Sequence, residues 1–188
     1  MDQIPERALD EYLVVLAQGG SREALDGLAR RWTPRLLRYA ARVLGGSSEA
    51  AESAYDVVQE TWIAGLRGLR GLREPAHFPA WIYGIATRKC ADAIRANMRR
   101  RSFDADNAAA NTDRAAERAT EGHIDLTTAI RRLPLMHRAV VHLFYREDLS
   151  VEEIAVILDV PAGTIKSRLH HARERLRRQL TTPARGLR

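Results

Sequence analysis

Apolar residues recur at helical spacing along nearly the whole chain, and no stretch shows the sustained alternation of a half-buried strand. The pattern predicts a first amphipathic helix over 6–18, stopped by Gly19-Gly20. Ser21 is placed to cap a second that runs to Trp32, where Thr33-Pro34 restarts or kinks it. Gly45-Gly46 ends that segment, and Ser47 or Ser48 caps a third helix over roughly 49–66. The tandem repeat GLRGLRGLR, 65–73, frays its end into a loop through Pro75, and a fourth helix covers about 79–98. Residues 99–123 then carry five basic and five acidic side chains and almost no large apolar ones. Such a segment buries too little surface to offset its ordering entropy and reads as a tether. Apolar periodicity resumes at Ile124 and continues to Leu180. The expected fold is therefore all-α: two small helical domains joined by a flexible linker.

Composition adds three constraints. At 188 residues and 45% hydrophobic, the chain is long enough for one medium domain or two small ones with real cores. No apolar run approaches the roughly 20 residues that span a bilayer, so no membrane insertion is expected. The one cysteine, Cys90, excludes an internal disulfide and fits a reducing cytoplasm. Charge is unevenly spread. Residues 160–188 hold eight basic side chains against Glu174 alone, within a chain whose net charge is +6. A basic patch confined to one segment points to a polyanionic partner, although a solvated helix face has the same composition.

The strongest local signal is LSVEEIAVILDVPAGTIKSRLHHARERL, 149–176. Ser150 and Glu153 make a capping box, and Ile154, Ala155, Ile157 and Leu158 give one apolar face. Asp159-Val160-Pro161 forms a turn in which Asp takes a left-handed conformation less readily than Gly would. Ile165, Leu169, Ala172 and Leu176 make the inward stripe of the next helix. Its other face carries Lys166, Ser167, His170, His171 and Arg173, with Thr164 at its start. This is a helix-turn-helix suited to a major groove: short donors for base edges, then arginines for phosphates.

DVVQETWI, 56–63, and FPAWIYGIATRKCADAIR, 78–95, precede that module. Together with VPAGTIKSRLHHARERL, 160–176, they resemble the extracytoplasmic-function sigma factors, the small two-domain members of the sigma-70 family, in order and spacing along nearly the whole chain. The resemblance implies a promoter-specificity subunit of RNA polymerase with no catalysis and no cofactor of its own. Residues 1–98 correspond to region 2, 99–123 to the linker and 124–188 to region 4. Asp56, Gln59, Glu60 and Trp62 fall where the family docks on the clamp helices of the largest polymerase subunit. Leu72, His77, Tyr83, Arg88, Lys89 and Arg95 fall where it holds the opened minus-ten strand. Thr164, Lys166, Ser167, Arg168, His170, His171 and Arg173 fall where it reads the minus-thirty-five duplex. Region 4 also meets the flap of the second subunit, and an anti-sigma factor commonly covers both regions. A monomer when free is expected.

The residues themselves add detail. Unpaired bases are held by pockets, aromatic faces and basic grooves. Phe78, Trp81, Ile82 and Ile85 sit at helical spacing and are expected mostly in the core. Tyr83 fits either role, and Arg88, Lys89, Arg95 and the Arg99–Arg101 run are the better strand contacts. Four positions depart from the family pattern: Tyr55 replaces one acid of the clamp-facing set, Leu72 stands near where an aromatic is frequent, Arg88 stands where Asn is common, and His171 stands where Arg is more frequent.

Two other classes compete. A stand-alone helix-turn-helix regulator predicts a stable dimer that footprints duplex DNA without polymerase. A metal or thiol enzyme would have to use His123, His137, His142, His170, His171 or Cys90, and no two of these have a convincing ligand spacing. No metal site is expected.

Overall fold

The computed structural model describes residues 6–46, 48–107 and 125–181. They form eight α-helices: α1 (Glu6–Gln18), α2 (Arg22–Leu44), α3 (Ser48–Gly68), α4 (Phe78–Asn107), α5 (Leu126–Arg131), α6 (Leu135–Tyr145), α7 (Val151–Leu158) and α8 (Ala162–Thr181). Two 3₁₀ turns, Leu69–Gly71 and Pro75–His77, connect α3 to α4. Among the described residues there is no strand, and the all-α expectation holds.

Local chemistry sets most boundaries. Ser21 accepts from the Ala24 amide at 3.2 Å and starts α2. Gly45, at φ 113°, ends it in the left-handed conformation that glycine adopts without a Cβ penalty. Two boundaries differ from the sequence reading. The expected break at Thr33-Pro34 is absent, and α2 runs through Pro34 as one helix. Proline removes one ladder bond, but Leu28, Trp32, Leu36 and Tyr39 are buried on both sides of it and hold a single register. Helix α4 also runs to Asn107, nine residues past the expected end. Once a helix is nucleated each further residue adds a hydrogen bond, so polar residues can extend a helix that they would not start. The proposed Ser47 cap and most of the predicted tether lie outside the described residues.

The core is aromatic at its centre. Trp32 meets Phe78 at 5.3 Å and Tyr83 at 5.6 Å between ring centroids, and Tyr39 meets Tyr83 at 5.0 Å, all edge-on. Such pairs contribute about 0.5–1.5 kcal/mol each beyond area burial. The cluster does not stop at the first four helices. It continues through Val140 and Leu143 of α6 and Ile154 and Ile157 of α7 to Ile165 and Leu169 of α8. Helix α7 packs on α4, and α6 on α2. The two halves of the chain are docked against each other.

Candidate nucleic-acid interface

The helix-turn-helix forms as its sequence dictates. Ser150 and Glu153 complete the capping box, with Ser150 Oγ accepting from the Glu153 amide at 3.1 Å and Glu153 accepting from the Ser150 amide at 2.8 Å. Asp159 closes α7 at φ 51°, the mildly unfavourable left-handed position expected of it. Ile165, Leu169 and Ala172 are buried. Lys166, Ser167, His170, His171 and Arg173 are therefore exposed on the opposite face, and Thr164 is half-buried. Two of these side chains are already engaged. Ser167 Oγ donates to the Thr164 carbonyl at 2.9 Å. Arg173 Nε donates to Tyr145 Oη at 2.8 Å, its guanidinium 5.7 Å from the centre of that ring. Arg168 differs from the rest: it is half-buried, and its Nη1 lies inside without a partner.

The α3–α4 loop is placed by a residue that sequence reasoning missed. Gln18, the last residue of α1, donates from Nε2 to the carbonyls of Leu69 at 2.9 Å and Leu72 at 2.7 Å. Those two bonds fix the end of the first 3₁₀ turn, where Leu72 is half-buried, and His77 beyond it is exposed. No local sequence signal marks a glutamine at a helix end as the anchor of a loop fifty residues away. On α4, Arg88 and Arg95 are exposed and Lys89 is half-buried.

Tyr83 is not on that surface. It is 2% exposed within the aromatic cluster, and its hydroxyl donates to Glu147, just beyond α6. Phe78, Ile82 and Ile85 are core as expected, Trp81 is half-buried, and Cys90 is buried with its thiol pushed up to about 12 by desolvation.

On α3, Asp56, Gln59 and Glu60 are exposed together. Half-buried Trp62 turns its ring inward, Nε1 donating to Thr33 Oγ1 at 2.9 Å. Ile63 and Leu66, about half exposed, lie on the same helix and were not singled out in the sequence; their departure from the inward stripe was the available signal. Glu60 and Lys89, expected to serve different partners, are paired with each other at 2.8 Å.

The seam between the halves holds polar groups that no motif announced. Arg131 Nη2 donates to the Gly46 carbonyl at 3.0 Å, and Arg138 Nη1 donates to the Arg131 carbonyl at 2.7 Å. His142 is buried with both ring nitrogens unpartnered. Burial, then the nearby Arg42, Arg138 and Arg146, lower it from 6.5 to about 4. A depressed basic group stabilises the fold above its unfolded pKa, and that contribution is lost as pH falls from about 6.5 to about 4. The urea-unfolding midpoint is expected to drop across that window, and His142→Phe should flatten the drop. His137, lowered chiefly by burial, leaves a residual slope. An unchanged slope in the variant would mean that other groups set the acid sensitivity.

Among the described residues no group of His, Cys, Asp and Glu could hold a metal ion, and no helix is long and apolar enough to cross a membrane.

Known proteins resemble this chain in both halves. Residues 28–100 match the family model for sigma-70 region 2, and residues 123–176 that for sigma-70 region 4. The RNA polymerase sigma-H factor of Pseudomonas aeruginosa is 29% identical over 91% of this chain and 93% of its own. The ECF RNA polymerase sigma factor SigM of Mycobacterium tuberculosis is 31% identical over 91% of this chain and 84% of its own. Among solved structures, CnrH in complex with the cytosolic domain of CnrY superposes with a TM-score of 0.63 at 23% identity, covering 92% of this chain and 97% of that one. RpoE from Bartonella quintana, in complex with the anti-sigma factor NepR, gives 0.62 at 24%, covering 84% and 97%.

Proposed function

The chain belongs to the sigma-70 family as an extracytoplasmic-function sigma factor, and we propose that it acts as a transcription initiation factor rather than an enzyme, through the following residues. Asp56, Gln59 and Glu60, with Ile63 and Leu66 beside them, form the face that docks on the polymerase clamp. An acidic and apolar helix face fits a basic partner whose approach is electrostatically steered. Arg88, Lys89 and Arg95 follow the opened minus-ten strand, and the loop from Leu72 to His77, tied down by Gln18, lies beside the displaced bases. Lys166, His170, His171 and Arg173 face the minus-thirty-five duplex, while Thr164 and Ser167 reach it from the start of α8. Tyr83 is withdrawn from this set as long as the halves are docked. The units are region 2 up to about residue 98 and region 4 from about 124, tethered between.

The observation that carries the reading is the pairing of both family regions, in order, on one chain whose basic and acidic faces lie outward. Run-off transcription tests it: core polymerase should initiate at discrete promoter fragments only when this chain is added. Initiation equally specific without it would overturn the reading. Lys166→Ala should leave core binding intact, weaken duplex binding uniformly and reduce the salt slope of log affinity by about 0.9. An unchanged slope would place Lys166 away from phosphate.

The docked arrangement fits a resting form. The two promoter elements are separated by about 25 base pairs, or about 85 Å of B-form DNA at 3.4 Å per base pair, a span that halves in direct contact do not cover. Engagement of both elements therefore requires undocking, with the polymerase setting the separation and the tether keeping effective concentration high. Control by an anti-sigma partner is part of the same proposal. RpoE, which shares this fold, is held by one, and Tyr12, Val15 and Leu16 of α1 leave exposed apolar surface for such a protein to cover.

A further inference from the structure

We propose that the cavity at the seam between α2 and helices α5, α6 and α8 binds a small organic anion with an apolar body, of the medium-chain carboxylate class. The cavity measures about 520 Å³, inside the range of small-molecule sites. Ile130, Val141 and Leu176 line it with apolar surface, and Leu126 and Tyr145, each more than half exposed, add large apolar side chains. Four arginines also line it: Arg42 from the first half of the chain, and Arg131, Arg146 and Arg173 from the second. Among the described residues, no carboxylate lines it.

Among the described residues, none of the four guanidinium groups is paired with a carboxylate. Arg131 and Arg173 donate to neutral acceptors, the Gly46 carbonyl and the Tyr145 hydroxyl. The guanidinium groups of Arg42 and Arg146 have no hydrogen bond or ion pair among the described residues. His142, in the wall of the cavity, is disfavoured in its protonated form first by burial and then by Arg42, Arg138 and Arg146. An apolar cavity with unpaired guanidinium groups selects a ligand that supplies both an acid and a hydrocarbon body.

Size decides between a small molecule and a partner's helix. An α-helix about 10 Å across occupies roughly 400 Å³ per turn. The cavity would hold little more than one turn, whereas helix-in-groove recognition draws its anchors from two turns or more. A base-paired duplex keeps its bases stacked inside and offers the cavity no apolar body.

Because the walls come from both halves, such a ligand binds only the docked arrangement and stabilises it by mass action. Under the sigma reading, that makes the anion an inhibitor of promoter engagement. The site itself rests on the cavity alone.

The test is calorimetric titration of the full chain, without polymerase, using sodium decanoate and its uncharged amide. Decanoate is expected to bind saturably, one per chain, and to raise the unfolding temperature, with decanamide about tenfold weaker or worse. Arg42→Ser with Arg146→Ser should lose about tenfold in decanoate affinity at unchanged helicity. Thr127→Trp, an exposed lining position, should block the cavity without touching an arginine. Equal binding of acid and amide, unchanged affinity in both variants, or no saturable heat would overturn the proposal. So would uptake of an acidic amphipathic helical peptide where decanoate fails, which would assign the cavity to a protein partner. A failed run-off assay would leave these outcomes intact, and their failure would leave the sigma assignment standing.

Discussion

Reversing two charges on α3, Asp56→Arg with Glu60→Arg, is expected to weaken binding to core RNA polymerase about a hundredfold, or about 2.7 kcal/mol. Residues 56 and 60 are one turn apart and exposed, so both carboxylates sit on one face. Placing two cations against a basic partner turns a steered encounter into like-charge juxtaposition, which costs several kcal/mol. The fold should tolerate the change because both side chains project into solvent. Glu60 also releases Lys89 from its ion pair, so Asp56→Arg alone separates lost docking from a freed DNA contact. Fluorescence anisotropy of labelled chain titrated with core polymerase measures it. A loss below about threefold would mean that the clamp-facing surface is elsewhere.

The second large effect is expected at Gly84. A Cβ there would lie 3.0 Å from the Ile157 carbonyl oxygen of α7, a backbone atom that can yield only if α7 moves. Its nearest side-chain neighbour is the flexible Arg88 guanidinium at 3.7 Å. Gly84→Val therefore loads the seam without distorting the first four helices. Overpacking of this kind costs about 1–3 kcal/mol, which shifts the docked-to-open ratio between about fivefold and a hundredfold or more. The hydrodynamic radius of the variant should rise, and its affinity for promoter DNA in the presence of core should rise with it. Solution scattering checks the first and run-off titration the second. An unchanged radius would mean that docking does not depend on this contact, and a larger radius with unchanged initiation would separate docking from control.

Most helices are legible in the order of residues alone. Ser21, Gly45 and the Ser150–Glu153 box act through neighbours three or four residues away, so their roles survive without tertiary context. The inward stripe of α8 likewise leaves Lys166, His170, His171 and Arg173 outside whatever the helix packs on. Distant burial settles what local cues left open or misplaced. Pro34 is a helix breaker by propensity, yet buried side chains on either side carry α2 through it. Tyr83 sits in a basic, aromatic stretch suggestive of strand binding, yet Trp32 and Tyr39 from α2 and Glu147 from the turn after α6 enclose it.

The chain's own order of residues determined its helical class, its helix caps, its division into an acidic-faced and a basic-faced half, and the family to which it belongs. Each of these follows from spacing within a few turns or from motif order. Only the tertiary structure decided that the halves share one core, that Gly84 admits a backbone oxygen, that Gln18 ties down a remote loop, and that four arginines converge on one cavity. Gln18 and Leu69 are 51 positions apart and Arg42 and Arg173 are 131 apart, and nothing in local periodicity encodes which apolar face will meet which.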